Sequence, residues 1–119
     1  MQRIMLKSKI HGAVVTDKQL QYGGSITLDE DLLKAADMLP GEQVHVLNLN
    51  NGMRFVTYTI VASPGSGMVM LNGPAARLGE IGDTVLILSY GIYDDPEANH
   101  REPIIVHVGQ RNQPTTDTA

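Results

Sequence analysis

Closely spaced turns constrain this chain more than any other feature. Asn50-Asn51-Gly52, Pro64-Gly65-Ser66-Gly67 and Asn72-Gly73-Pro74 cut its middle into runs too short for long helices. Asn and Gly tolerate positive φ and Pro presets a turn, so each cluster ends one element and starts another. The runs between them are rich in Val, Ile and Leu and read as strands, over 42–49, 53–62, 68–71, 84–90 and 104–108. Earlier, Ile4, Leu6, Ser8 and Ile10 alternate with Arg3, Lys7 and Lys9, predicting a strand with Ile4 to Ile10 on one face. Residues 12–16 and 25–28 are two more extended runs. Asp29-Glu30-Asp31 suits a helix N-terminus, Leu32, Leu33 and Ala36 supply one apolar face, and Pro40-Gly41 ends it. Residues 75–78 predict one helical turn. Residues 109–119 are polar with no apolar face and are expected to form a loose, disordered tail outside a single domain over 1–108.

The 119 residues suffice for one domain. With one Phe, four Tyr and no Trp, the core must be built from aliphatic side chains and Met. Net charge is −4 and no basic run exists, so a nucleic-acid partner is not expected. No apolar run approaches the roughly 20 residues of a membrane span. Lys7 and Lys9 interrupt the first apolar stretch, so a soluble, cytoplasmic protein is expected. The absence of cysteine removes disulfides, thiolate nucleophiles and thiolate metal sites. His11, His45, His100 and His107 form no HExxH and no i, i+4 pair, so no metal site is expected. There is no GxGxxG after a strand, no phosphate-binding Walker loop and no GxSxG elbow.

Two segments echo each other. Ala35-Ala36-Asp37-Met38 is similar to Ala75-Ala76-Arg77-Leu78, and Gly41-Glu42-Gln43-Val44 to Gly82-Asp83-Thr84-Val85. Two copies are too few for a solenoid but suit a closed barrel of two related halves. Chance similarity in such short segments is the alternative.

Tyr22-Gly23-Gly24-Ser25 is the segment with chemical potential. Taken alone, Gly-Gly-Ser is flexible loop punctuation. A serine oxygen can also attack the carbonyl of the preceding residue through a five-membered ring. Glycine before the serine lets that peptide adopt conformations closed to other residues. The developing oxyanion would need a hydroxyl or amide donor.

Four separated motifs give this segment a context. Lys9-Ile10-His11, Tyr22-Gly23-Gly24-Ser25, Asn51-Gly52-Met53-Arg54-Phe55-Val56-Thr57-Tyr58 and Asn72-Gly73-Pro74-Ala75-Ala76 stand in order at compatible spacing. Together with Gly82-Asp83, they resemble the pyruvoyl-dependent aspartate 1-decarboxylases over about residues 1–95. The resemblance implies a mainly β fold, a double-psi β-barrel with a few short helices, assembled as a homotetramer with active sites between subunits. It implies self-cleavage at Gly24-Ser25 into 1–24 and 25–119, with Thr57 as donor to the Gly24 carbonyl. Ser25 would become a covalent pyruvoyl group that forms a Schiff base with L-aspartate, with no metal and no pyridoxal phosphate. Tyr58 would be the proton donor, and Lys9, His11, Arg54, Thr57, Asn72, Gly73 and Ala75 would bind substrate. The product, β-alanine, feeds pantothenate and coenzyme A synthesis. Pro74 has no amide hydrogen, which removes one backbone donor from this loop. Some relatives recruit a helper protein for maturation, and the motifs leave that partner open. Singly, Thr57, Tyr58 and Arg54 also read as ordinary strand residues. A non-catalytic barrel and a decarboxylase for glutamate are the rival readings.

Overall fold

The computed structural model describes residues 1–115. Eight strands make one mixed sheet: β1 (Gln2–Val14), β2 (Asp17–Gln19), β3 (Ser25–Asp29), β4 (Gln43–Asn48), β5 (Arg54–Ala62), β6 (Val69–Asn72), β7 (Thr84–Asp94) and β8 (Ile104–His107). Their lateral order is β2-β6-β3-β5-β4-β7-β1-β8. β1 continues almost directly into β2, and Thr16 N–H donates to the Val69 carbonyl at 2.8 Å. One stretch of chain therefore joins both sides of the sheet and curls it closed, consistent with a double-psi β-barrel. Two short helices, α1 (Glu30–Ala35) and α2 (Asp95–His100), and 3-10 turns at Gly73–Arg77 and Gln110–Asn112 complete it. No helix among the described residues is long and apolar enough to cross a membrane.

Ile10, Ile26, Leu28, Leu32, Leu71 and Ile87 are fully enclosed and fill the barrel with aliphatic side chains. β1 differs from its expected pattern. Bulges interrupt its pairing with β7 between Leu6 and Ser8 and between His11 and Ala13. Each extra residue reverses which side the following residues face. Ser8 and Ile10 point inward, while Ile4 is 73% exposed, so the predicted face splits at the first bulge. Gly12, at φ +92°, occupies the second bulge, and the expected separate run at 12–16 is partly a continuation of β1.

The sequence echo is structural. Gly41 N–H donates to the Thr59 carbonyl, and Thr59 N–H donates back to Glu42. Gly82 N–H donates to the Val15 carbonyl, and Val15 N–H donates back to Asp83. Glu42 Oε1 accepts from Leu39 N–H at 3.1 Å and Asp83 Oδ2 from Glu80 N–H at 2.9 Å, the same three-residue reach in each half. Both glycines have positive φ, +85° and +96°, which explains why the Gly-acidic pair recurs.

Asp29 caps α1 by accepting from Asp31 N–H at 2.8 Å. Its carboxylate also accepts from Gly65 N–H, Gly67 N–H and Gln113 Nε2. Burial raises its pKa and is the largest single influence. The bonds from Gly67, Asp31, Gln113 and Gly65 together outweigh it and hold the group below its ordinary value.

Residues 109–115 do not form the expected loose tail. The Asn112 side chain bonds both the N–H and the carbonyl of Val14 at 2.8 Å and the Gly67 carbonyl at 2.9 Å. Val108 and Pro114 form a bridge. Polar side chains dock this segment by satisfying exposed main-chain groups, which an apolar-periodicity reading does not detect. Residues 116–119, the rest of that expectation, lie outside the described residues.

Candidate active site

Ser25 opens β3, which runs parallel to β5 with Ile26 beside Thr59. Carrying that register back sets Ser25 beside Tyr58 and Gly24 beside Thr57. β3 also runs antiparallel to β6, with Ser25 opposite Asn72. Ser25 and Asn72 are fully buried. Asn72 Nδ2 donates to Ser25 Oγ at 2.9 Å, and Ser25 Oγ lies 3.4 Å from the Gly23 carbonyl oxygen.

Next along the chain, Gly73 adopts φ +60° and packs directly against the backbone of 22–24. Pro74 covers Gly24: a β-carbon on that glycine would sit 3.5 Å from Pro74 Cδ. Gly24, Thr57, Tyr58 and Ala75 line one cavity of about 340 Å³, together with Phe55, Val56, Pro74 and Leu78. This is near the lower bound for small-molecule pockets, about 300–1,000 Å³.

Arg54, Lys9 and His11 lie elsewhere. Arg54 is four residues from Tyr58 on β5, about 13 Å along the strand. Its Nη2 donates to Tyr90 Oη at 3.0 Å and contacts His45 Nδ1 at 3.2 Å. The His45 and Tyr90 rings meet edge-on with centroids 4.9 Å apart. His11 is in register with Arg54 through Leu86 and Leu47, three strands away or about 14 Å. Lys9, two residues along β1, shares that outer face. One copy of the chain thus gathers Gly24, Ser25, Thr57, Tyr58, Asn72, Gly73 and Ala75 and leaves Lys9, His11 and Arg54 apart.

The sequence reading missed His45 and Tyr90 as companions of Arg54, and Thr27 as a second partner of Asn72. Strand alternation could have placed His45 and Tyr90 on the outer face, but not beside Arg54. Among the described residues, no three His, Cys, Asp or Glu side chains come together as a metal site would require.

The family description "Aspartate decarboxylase" matches residues 1–115. The chain belongs to the aspartate decarboxylase family. Aspartate 1-decarboxylase of Thermoanaerobacter pseudethanolicus is 54% identical over 114 residues, covering 96% of this chain and 97% of that one. The protein of the same name from Kosmotoga olearia is 57% identical over 112 residues, 94% of this chain and 96% of its own. That of Heliobacterium modesticaldum is 52% identical over 117 residues, 98% and 89% respectively. Family membership extends past residue 95, where the motif resemblance stops, because the match continues through the docked segment at 109–115.

Proposed function

We propose that this member of the aspartate decarboxylase family cleaves its own Gly24-Ser25 bond and then converts L-aspartate to β-alanine and CO2. The observation that carries this reading is Ser25 itself. Its hydroxyl is enclosed and held by Asn72, and the residue before it, Gly24, lines a cavity with Thr57 and Tyr58.

Ser25 Oγ adds to the Gly24 carbonyl carbon, and the Thr57 hydroxyl donates to the oxygen that gains charge. The C–N bond breaks, the serine proton passes to the freed nitrogen, and Gly24 is left in an ester with Ser25. Loss of the Ser25 α-proton expels residues 1–24 as a carboxylate and leaves dehydroalanine. Its imine tautomer takes up water and releases ammonia, giving a pyruvoyl end on residues 25–119.

The neighbourhood fits such a group. The Ser25 backbone is already enclosed, and the Asn72 amide that donates to Ser25 Oγ at 2.9 Å is a donor that a carbonyl oxygen there would accept from. The ketone supplies an electron sink once it condenses with the substrate amine. Tyr58 delivers a proton to the carbon that has lost CO2. The Gly73 and Ala75 amides orient the substrate, and Pro74 excludes water without adding a donor.

Arg54 offers a guanidinium fork for the retained side-chain carboxylate. Its distance from Ser25 within one copy supports a homotetramer in which a neighbouring subunit supplies Arg54, Lys9 and His11. The apolar outer face, with Ile4, Ile92 and Val56 exposed at 73%, 67% and 53%, supports the same assembly. In a cytoplasmic setting the product would supply pantothenate and coenzyme A synthesis.

Intact mass under denaturing conditions tests the reading. Fragments 1–24 and 25–119, the larger with a pyruvoyl terminus, are expected, together with faster CO2 release from aspartate than from glutamate. A Ser25→Ala chain is expected to remain whole and inactive. A full-length wild-type mass after prolonged warming would refute unaided self-cleavage and leave only a non-catalytic barrel or an enzyme that needs a helper protein to mature.

A further inference from the structure

Asn72 reaches Ser25 with only one of its two amide protons. The other goes to Thr27: Nδ2 lies 2.9 Å from Ser25 Oγ and 2.8 Å from Thr27 Oγ1. Ser25 and Asn72 are fully buried and Thr27 is 6% exposed. The arrangement follows from the pairing. Ser25 and Thr27 are two residues apart on β3 and share a face, and β6 runs antiparallel beside them with Asn72 opposite Ser25.

A carboxamide is planar, so its two N–H directions are rigidly related. Anchoring one proton on Thr27 fixes the direction of the other. No acceptor-side bond helps, because Asn72 Oδ1 has no partner among the described residues. Reversing the amide would instead turn both N–H groups to the side where Oδ1 now meets no partner, leaving buried donors without acceptors, a costly outcome. The direction matters for chemistry. With Ser25 Oγ as acceptor, its own proton turns away from Asn72, toward the Gly23 carbonyl oxygen at 3.4 Å. A donor at Oγ also stabilises the negative charge that grows there as the hydroxyl is deprotonated.

We propose that Thr27 is a positioning residue for self-cleavage: its hydroxyl oxygen anchors the Asn72 carboxamide, which in turn holds Ser25 Oγ in the attacking rotamer. This assignment rests on the self-cleavage reading above. Thr27 does not touch the scissile carbonyl and acts only through Asn72. Valine at this position preserves shape and branching but deletes the acceptor, whereas serine keeps it.

The test follows the full-length fraction of freshly made chain against time, by intact mass after denaturing quench. Thr27→Val is expected to lengthen the cleavage half-time by about tenfold, the effect of one lost positioning hydrogen bond. Thr27→Ser is expected to stay within about twofold of wild type. Asn112→Ala serves as a control for stability: it removes three hydrogen bonds, two to Val14 and one buried bond to Gly67, none of them to Ser25, Thr27 or Asn72, and is expected to cleave at the wild-type rate. Thermal melts of Thr27→Val and Asn112→Ala, each in a Ser25→Ala background, are expected to show Asn112→Ala destabilised at least as much, so that its normal cleavage separates stability from rate. Wild-type cleavage with an unchanged Thr27→Val rate would overturn the assignment alone, as would equal slowing by Thr27→Ser. A wild-type chain that never cleaves would overturn the cleavage reading and this assignment with it.

Discussion

Gly73 stands so close to Tyr22 that a β-carbon on the glycine would lie 2.4 Å from the Tyr22 carbonyl oxygen. The same atom would sit 3.0 Å from Gly23 C and Gly24 N, so it would push the segment that ends at the scissile bond. Gly73→Ala is therefore expected to slow self-cleavage by at least about tenfold. Gly52→Ala separates this effect from backbone strain, since Gly52 has φ +76° with nothing within 4 Å of its β-position. That variant is expected to lose about 1 kcal/mol of stability yet cleave normally. Intact mass against time and urea unfolding check the pair.

Gly23 has open space around its β-position, nothing lying within 4 Å. A valine there fits and removes freedom from a segment that must hold one strained geometry. Such restriction is worth about 0.4–1 kcal/mol, so Gly23→Val is expected to cleave as fast as wild type or up to about fivefold faster. Clearly slower cleavage in the same assay would show that the second glycine serves the reaction instead.

Tyr58→Phe separates maturation from turnover. Thr57, not Tyr58, is assigned to the Gly24 carbonyl, so the phenylalanine variant is expected to yield both fragments at the normal rate. Loss of the proton donor is expected to lower kcat for β-alanine formation by about 10²–10⁴. Mass spectrometry and CO2 release on the same sample read the two steps independently.

Asp29 ties stability to acid. Its folded pKa lies below the ordinary value of 3.8, because bonds from Gly67, Asp31, Gln113 and Gly65 outweigh the effect of burial. A depressed carboxylate contributes stability that is complete above its unfolded pKa and is lost as pH falls through the folded value. Wild type is thus expected to lose stability more steeply than Asp29→Asn below about pH 4. At neutral pH the asparagine variant is expected to be the weaker, and the gap should close in acid. Urea midpoints of both chains across that range, each in a Ser25→Ala background, make the comparison.

Strand positions were legible because turns and alternation are local. The hairpin at Asn50-Asn51-Gly52, the acidic cap of α1 and the two Gly-acidic turns all appear where short-range chemistry puts them. Three things were hidden. The bulges in β1 depend on its pairing with β7, nearly the length of the domain away in sequence, and so the orientation of Ile4 could not be read. Asn112 docks onto Val14 across 98 residues through polar bonds alone, against the expectation for a hydrophilic stretch. The Thr27-Asn72 contact spans 45 residues, and Thr27 in a short strand looked like any β-former. The cavity-lining members of the motifs were found through resemblance, while their separation from Lys9, His11 and Arg54 is set by strand pairing across the sheet and is invisible in the sequence.

β1 lies between β7 and β8, and Asn112 grips its far end. If the bond at Gly24 is broken, that strand belongs to a different molecule from both neighbours. The native shell then becomes a two-piece assembly whose unfolding separates what synthesis had joined. Before the cut, the barrel of one copy can close within a single chain; afterwards its two pieces must first meet in solution, which adds a dependence on concentration to any that subunit assembly already imposes. The precursor folds with an advantage that the finished enzyme has permanently surrendered.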